Sequence, residues 1–450
     1  MIRDFLTPGG TSAAQRRVLL GAGTGQFVEF YDFAIYGFSA VSIAEAFFPG
    51  QDPATGLLSV FAAYGVAFVA RPLGGLFFGA LADRTGRRKV LYATLMCMGV
   101  ATALIGLLPT HAAAGIMGPV LLVVCRLAQG FSAGGESVSA PSFVLEHAPY
   151  ERRGTWIGVT VGATAAASVV ALVVIMAMSG AVSDTAYAAW GWRVPFLLAL
   201  PLSLIGLYIR RRTEESPVFQ ELRRENAIEA GPVRSSLRGN RTRLGQIFAV
   251  MALSGLGFYI LVGYFVTYLQ TVVGLSPMRS LAANAVALLS FAVLLPIGGR
   301  LSDTFGRKPM LVAGAAAVAV VGLPAFMLVT SGSFGSAVVG QLLLAAALCV
   351  YGGGSYTFFV ELLPAATRVT GAAISYNAAL AVFGGTAPFV GTWLVDVTGE
   401  AMAPGYYLVA VALAALAVAA TTSETRAVVV PRQGSHPASP GSSGAARSSR

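Results

Sequence analysis

Charged residues are scarce in this sequence: only 11% of its 450 residues are Asp, Glu, Lys or Arg, whereas 56% are hydrophobic. Soluble domains typically carry about 25% charged residues. The mean hydropathy is +0.72, and a fold surrounded by water cannot bury this much apolar surface. The composition therefore excludes an ordinary soluble protein and indicates lipid as the main solvent.

The residues that most enzymes and metal sites require are equally sparse. The three cysteines, Cys97, Cys125 and Cys349, lie within apolar runs without a CxxC pair or metal-ligand spacing, so we interpret them as small hydrophobic residues. Lys89 and Lys308 are followed by Val and Pro, which excludes the GK[ST] phosphate loop of an ATP-driven pump. The three histidines fall in loops or at the ends of apolar runs. We therefore predict that the protein is not an enzyme and needs no metal or other cofactor.

Long apolar stretches recur along the whole chain, and many reach the ~20 residues that a helix needs to cross a bilayer. We predict an all-α polytopic membrane protein with twelve transmembrane helices. The predicted spans are 20–48, 56–82, 90–108, 116–146, 155–179, 191–210, 245–273, 280–302, 309–330, 335–363, 368–396 and 402–422.

Basic residues concentrate on one side of this predicted topology. They lie before the first span, after the second, fourth, sixth, eighth and tenth spans, and in the C-terminal segment, whereas the other side carries only Arg193 and Arg279. The positive-inside rule then predicts that both termini and the central loop are cytoplasmic, in a multi-pass protein of the cell (inner) membrane. The net charge of +10 is thus explained by topology, and we predict no nucleic-acid partner.

The two halves of the chain repeat each other. Residues Gly79–Leu91, GALADRTGRRKVL, align with Gly299–Leu311, GRLSDTFGRKPML, and EHAPYERRG from Glu146 has a counterpart in ELLPAATRVTG from Glu361. Two six-helix repeats with a site between them form a known transporter plan. The predicted parts are a cytoplasmic N-terminus 1–19, an N-terminal six-helix bundle 20–210, a central cytoplasmic loop 211–243, a C-terminal bundle 244–422 and a disordered tail 423–450.

Charged residues inside the predicted spans are the first candidates for function, because a charge at the bilayer centre is costly and is usually paired. Glu29 and Asp32 share one stripe of the first span with Gln26 and Tyr36, and arginines stand at comparable depth in the second and fourth spans. An acid beside an arginine is able to exchange a proton when substrate takes over the arginine. We predict that Glu29, Asp32 and Arg126 couple transport to protons; the alternative is a set of fixed ion pairs that join helices.

The same cavity needs polar groups that bind the substrate. We predict contacts from polar and aromatic residues in both halves of the chain. These residues are Gln26, Tyr36, Tyr64, Arg71, Gln129, Tyr264, Tyr356 and Asn377.

The repeated charged loops predict a gate at the cytoplasmic face, formed in one state and broken in the other. The alternative is simple anchoring by positive charge, and for Glu136 a role in transport remains open beside a gate ion pair. The predicted gate residues are Asp83, Arg87, Arg88, Glu136, Glu146, Asp303, Arg307, Glu361 and Arg368.

The motifs GALADRTGRRK and RLAQG resemble those of the major facilitator superfamily. The segments VEFYDFAIYG, FVARPLGG, RLAQGFSAGGE and SYNAALAVFGGTAPFVGTWL further resemble its metabolite:proton symporter family, which includes proline/betaine, shikimate, 2-oxoglutarate and citrate permeases. By this resemblance Arg71 is a candidate for holding a substrate carboxylate and Arg126 for proton coupling. The sequence departs from the family pattern at Ser137, Val138 and Ser139, which leaves the substrate open.

The function predicted from these features is proton-coupled uptake of a small polar metabolite, an organic acid or a zwitterion, by alternating access. The partners are then substrate, protons and membrane lipid, and we expect the protein to act as a monomer. Two alternatives remain: a proton-coupled efflux antiporter, which the absence of a Gly-Pro pair in the fifth span disfavours, and an uncoupled facilitator.

Overall fold

The computed structural model describes residues 13–50, 52–85, 87–210, 224, 239–364 and 368–426. The architecture of these residues is helical. Within those ranges there is no strand, and eleven helices plus one bent pair are long and apolar enough to cross a membrane. The predicted all-α membrane fold with twelve spans is confirmed. The spanning helices are α1 (Ala13–Phe38, continued by Ala40–Phe47), α2 (Pro53–Thr85), α3 (Arg87–Leu107), α4 (Met117–His147), α5 (Arg153–Ala181), α6 (Val194–Leu197 and Ala199–Arg210), α7 (Arg241–Tyr259, Ile260–Tyr264 and Phe265–Thr271), α8 (Pro277–Phe305), α9 (Arg307–Thr330), α10 (Phe334–Glu361), α11 (Arg368–Ala379, Leu380–Gly384 and Ala387–Thr398) and α12 (Ala403–Thr421).

Short helical turns lie in the connections between these spans: His111–Ala114, Tyr150–Arg152, Asp184–Ala189 and Gly191–Arg193. Helices α1 to α6 form one bundle, the N-bundle, and α7 to α12 form the second, the C-bundle. The bundles meet where α5 packs on α8, α2 on α11 and α1 on α7. We call the face at which α1 begins and α12 ends the terminal face. Large apolar side chains such as Leu107 and Val320 remain exposed on the outer surface, where lipid is the natural solvent.

Three helices differ from the uninterrupted spans expected. The first predicted span, 20–48, is a pair of helices bent by 64° at Ser39. In α7 and α11 the segments Ile260–Tyr264 and Leu380–Gly384 are π-helical, a feature that kinks helices and is frequent at functional sites. Periodicity alone does not reveal these interruptions, because the residues on both sides continue the same apolar pattern.

Glycine brings α2 and α4 into backbone contact. A Cβ built on Gly134 would overlap the carbonyl of Arg71, and one built on Gly130 would overlap the carbonyl of Ala67. Small residues allow this close approach of membrane helices. The contact places Arg71 of α2 beside the polar face of α4, where the candidate site lies.

Candidate functional site

The predicted stripe on α1 faces α2 and α4, and Glu29 forms the first of two buried ion pairs there. Its Oε1 accepts hydrogen bonds from Arg71 Nη2 at 3.1 Å and from the Ser137 hydroxyl at 2.5 Å, and its Oε2 accepts one from Gln26 Nε2 at 3.4 Å. Glu29 and Arg71 are both 0% exposed. Arg71 Nε and Nη1 have no hydrogen-bond partner among the described residues. The pair therefore retains donors that an anionic ligand group would satisfy.

Asp32 forms the second pair, one helical turn further along α1. Its Oδ1 accepts hydrogen bonds from the Thr102 hydroxyl and from Gln129 Nε2, both at 2.6 Å. Arg126 Nη1 lies 3.8 Å from Asp32 Oδ2 and donates a hydrogen bond of 2.9 Å to Gln129 Oε1. The Gln129 side chain thus bridges the acid and the arginine, and all four residues are buried.

One aromatic ring lies between the two pairs. The Cζ atoms of Arg71 and Arg126 are 4.4 and 5.0 Å from the centroid of the Phe33 ring. Arg71 also lies over Phe68 and Arg126 over Tyr36, at 4.5 and 4.2 Å. Such cation–π contacts contribute about 2 kcal/mol or more where water is excluded, so the rings stabilise both buried cations.

A central cavity opens between the bundles beside the first pair, on its terminal-face side. Gln26 and Ser137, which both bond Glu29, form part of its wall, and the charged pair lies directly behind them. Six of the lining side chains are aromatic. The cavity is lined by Gln26, Phe30, Ser137, Pro141, Val161, Thr164, Met251, Ser254, Gly255, Phe258, Tyr259, Tyr356, Phe359, Tyr376 and Leu380.

The residues predicted to bind substrate are dispersed around this cavity. Gln26 and Tyr356 line it, and Arg71 lies behind Gln26.

The other predicted residues lie outside the cavity wall. Tyr36 donates a hydrogen bond to the Val60 carbonyl at 3.1 Å, and Asn377 donates one to the Gly134 carbonyl at 3.2 Å. Tyr64, Gln129 and Tyr264 are buried outside the cavity wall. Their role in substrate binding stays a prediction for other conformations.

Three residues of the site, Phe33, Ser137 and Thr102, are not among the site residues predicted from the sequence. Phe33 is four residues after Glu29 on the same helical face, and Ser137 is eleven residues after Arg126, which is three turns of helix. Both could have been placed by that spacing. Thr102 lies in an apolar stretch of α3, and the sequence offers no reason to pair it with Asp32.

At the terminal face, Asp303 at the end of α8 joins the two bundles. Its carboxylate accepts hydrogen bonds from the backbone N–H groups of Gly154 and Thr155, both at 2.7 Å, and from the Thr155 hydroxyl at 2.8 Å. A carboxylate at a helix N-terminus is favoured by unpaired amides and by the helix dipole. Asp303 therefore caps α5 of the opposite bundle and closes this part of the interface.

Three ion pairs lie beside this cap, and one of them joins the two bundles. Arg307 donates a bidentate pair of hydrogen bonds to Glu361, 3.1 and 3.2 Å, and one to Asp303 at 2.9 Å. Arg368 of the C-bundle lies 3.4 Å from Glu146 of the N-bundle. We call Glu146, Gly154, Asp303, Arg307, Glu361 and Arg368 the terminal latch.

The other predicted gate residues lie elsewhere or beyond the description. Glu136 is buried and accepts a hydrogen bond of 3.3 Å from Thr94 of α3. The side chains of Asp83, Arg87 and Arg88 lie outside the described residues, as does most of the predicted central loop 211–243. The assignment of these residues to a gate stays a prediction.

Three residues near the start of the predicted tail 423–450, Glu424, Thr425 and Arg426, contact the latch region. The Glu424 carboxylate accepts hydrogen bonds from the N–H groups of Arg307 and Lys308, at 2.9 and 3.0 Å. The Thr425 hydroxyl donates one to Glu361 at 3.0 Å. Glu424 thereby caps α9, which explains why the chain stays against the bundle beyond α12. Residues 427–450 lie outside the description.

Two bundles of membrane-spanning helices, with buried acids and arginines beside a central cavity, are typical of a secondary transporter. Comparison with known proteins leads to the same class of protein. The model of the Major Facilitator Superfamily matches residues 22–373. The chain belongs to the major facilitator superfamily. It is 36% identical to the proline/betaine transporter of Escherichia coli K12 over 420 residues, which cover 91% of this chain and 84% of that protein.

Further relatives support the same family. The glycine betaine/proline/ectoine/pipecolic acid transporter OusA of Dickeya dadantii is 35% identical over 91% of this chain and 83% of its own. The fold matches the partially occluded inward-open structure of the xylose transporter XylE from E. coli with a TM-score of 0.74, at 19% identity, over 93% of this chain and all of that one. The resemblance to metabolite:proton symporters is therefore confirmed: the protein is a membrane transporter of this superfamily and not an enzyme.

Proposed function

We propose that this transporter takes up a small zwitterion together with protons. The observation that carries the proposal is the position of the buried Glu29–Arg71 pair directly behind a cavity lined by aromatic side chains. A zwitterion presents a carboxylate and a cationic nitrogen a few ångströms apart, and this site offers a partner for each. The relatives named above include transporters of proline, betaine and ectoine, which belong to this chemical class.

The carboxylate partner is Arg71. Its Nε and Nη1 groups have no partner among the described residues, and a planar guanidinium binds carboxylates through two parallel hydrogen bonds. The cationic pole would meet the rings of Phe30, Phe258, Tyr259 and Tyr356. Aromatic faces attract alkylated ammonium groups without requiring a hydrogen bond, so the cavity suits substituted amines better than it suits sugars or dicarboxylates.

Proton coupling follows from competition for the arginines. Substrate that engages Arg71 removes a hydrogen bond from Glu29, which favours protonation of that acid. Asp32 has one carboxylate oxygen, Oδ2, with no hydrogen-bond partner among the described residues, and its contact with Arg126 is long. Asp32 is therefore the acid whose charge is least stabilised by its surroundings. We assign the transported proton to Asp32, and to Glu29 the response to substrate bound at Arg71.

Sidedness and location are part of the proposal. The terminal face is cytoplasmic, which is supported by the concentration of basic residues in the loops on that side, and the protein lies in the cell (inner) membrane. Its proposed unit of transport is the monomer, because the cavity lies between the two halves of one chain. Labelling of single cysteines in intact cells and in inverted vesicles tests the orientation.

Uptake measurements test the transported substrate and the direction together. Cells that lack their own carriers and express this protein should accumulate radiolabelled proline or glycine betaine, and a proton uncoupler should abolish accumulation. Uptake that equilibrates and is unchanged by the uncoupler would establish the uncoupled facilitator instead. Expulsion of preloaded substrate from vesicles of known orientation would establish the antiporter.

A further inference from the structure

A buried amide pair in the C-bundle contacts the irregular part of α7. The Asn284 side chain on α8 donates a hydrogen bond from Nδ2 to the backbone carbonyl of Leu261, at 2.8 Å, and Nδ2 also lies 2.8 Å from Gln341 Oε1 on α10. Both amide side chains are 0% exposed and lie outside the cavity wall. Burial of an amide side chain in an apolar bundle costs free energy. The position of these two amides therefore indicates a role beyond packing.

Leu261 lies inside the π-helical segment Ile260–Tyr264. A π turn holds one more residue than an α-turn, and such interruptions persist where a side chain supports the disturbed backbone ladder. Asn284 supplies that support from a neighbouring helix. Gln341, anchored by its own bond to the Ala337 carbonyl at 3.3 Å, presents its oxygen to Asn284 and fixes the direction of the amide.

The same π segment forms one of the contacts between the bundles on the side opposite the terminal face. A Cβ built on Gly37 of α1 would lie 3.1 Å from the Gly263 Cα, and one built on Gly263 would lie 3.5 Å from the Tyr64 hydroxyl. Tyr259, which directly precedes the segment, lines the cavity and has its ring 4.9 Å from that of Phe68. The segment therefore connects the cavity with the contact between α1 and α7.

We propose that Asn284 and Gln341 are positioning residues that hold the π turn of α7 and thereby stabilise closure of the extracellular side. Without the bond to Leu261, the turn relaxes toward an α-helix and the following residues rotate by about 100°, the angle of one residue in a helix. Gly263 then no longer faces Gly37, and a larger side chain replaces it at a contact where even a Cβ on Gly37 would lie 3.1 Å from the facing backbone. The extracellular side opens as a result.

The test is a distance measurement between spin labels on cysteines placed at Thr55, in the first turn of α2, and at Glu400, in the loop after α11. Both positions are exposed and lie opposite the terminal face, and the background lacks the native cysteines. Asn284→Leu keeps the branched shape of the side chain and removes the hydrogen bond. We expect it to raise the ratio of open to closed molecules about fivefold, which corresponds to ~1 kcal/mol, the net worth of a typical hydrogen bond. Gln341→Leu should shift the ratio in the same direction by less, because Asn284 keeps its own bond to the Leu261 carbonyl.

Ser280→Ala is the matched control, because Ser280 is a buried polar residue of the same helix that bonds its own helix at the Ser276 carbonyl. It should leave the distances unchanged. Distances unchanged in both Asn284→Leu and Gln341→Leu would overturn the proposal, as would an equal shift in Ser280→Ala. This proposal depends on the proposed function, transport by alternating access, only for the effect that the π turn would have on transport. The distance measurement needs no substrate, so its failure is separate from failure of that function.

Discussion

Asp32 and Arg126 approach each other only to 3.8 Å, whereas Glu29 and Arg71 are joined by a direct hydrogen bond of 3.1 Å. The difference has a structural cause, because the Gln129 side chain accepts from the arginine and donates to the acid. A buried acid held mainly by neutral donors loses less on protonation than one in direct contact with a cation. The two acids of α1 are therefore suited to different tasks.

Replacement of Asp32 by Asn should abolish proton-driven accumulation while substrate exchange continues. Asparagine keeps the acceptor oxygen for Thr102 and Gln129 but has no exchangeable carboxyl proton. Accumulation and counterflow in proteoliposomes with an imposed pH gradient measure the two activities. Asp396→Asn, at an exposed acid of α11, is the matched control and should behave as the native protein. Intact accumulation in Asp32→Asn would show that Asp32 does not carry the proton.

Replacement of Arg71 by Lys should weaken substrate binding more than it slows turnover. Lysine retains the charge but lacks the planar fork that binds a carboxylate through two bonds. We expect the KM for uptake to rise at least tenfold, which is ~1.4 kcal/mol. Arg243→Lys, at an exposed position, is the control for the general effect of an arginine-to-lysine change. An unchanged KM in Arg71→Lys would remove this residue from the substrate site.

Replacement of Phe33 by Leu tests whether the shared ring supports both cations. Leucine fills much of the space but has no π face, so Arg71 and Arg126 each lose a buried cation–π contact worth about 2 kcal/mol. We expect lower thermal stability in detergent together with impaired accumulation.

Phe326→Leu is the comparison for Phe33→Leu. It removes an equally buried ring that packs among aromatic residues of the C-bundle. This variant should lose stability and retain coupling. Equal losses of coupling in the two variants would show that Phe33 contributes packing alone.

The N-bundle part of the site was largely predictable from the sequence, and the C-bundle part was not. Glu29, Asp32, Arg71 and Arg126 identify the inward faces of α1, α2 and α4, because charged groups in membrane helices avoid lipid. The C-bundle has no such markers at this depth. Its lipid-facing and inward-facing surfaces are similarly apolar, so periodicity does not reveal which aromatic residues line the cavity.

Tyr264 and Tyr356 illustrate the consequence of that ambiguity. Both are predicted to bind substrate, but Tyr356 lines the cavity whereas Tyr264, the last residue of the π turn, packs against Gly391 outside the cavity wall. The π turn itself changes the face on which later residues of α7 lie. Sequence patterns that assume 3.6 residues per turn cannot account for such a shift.

Replacement of Asp303 by Asn should open the terminal latch. The substitution removes the negative charge that caps α5 across the interface and pairs with Arg307, and charge-assisted hydrogen bonds of this kind contribute about 1.5–3 kcal/mol. We expect the population open at the terminal face to rise more than tenfold, measured by the distance between spin labels on cysteines at Glu151 and Ser423, two exposed positions on this face. Asp184→Asn, at an exposed acid on the other face, should have no effect on that distance. A terminal face that stays closed in Asp303→Asn would mean that packing of α5 on α8, and not this carboxylate, keeps the bundles together.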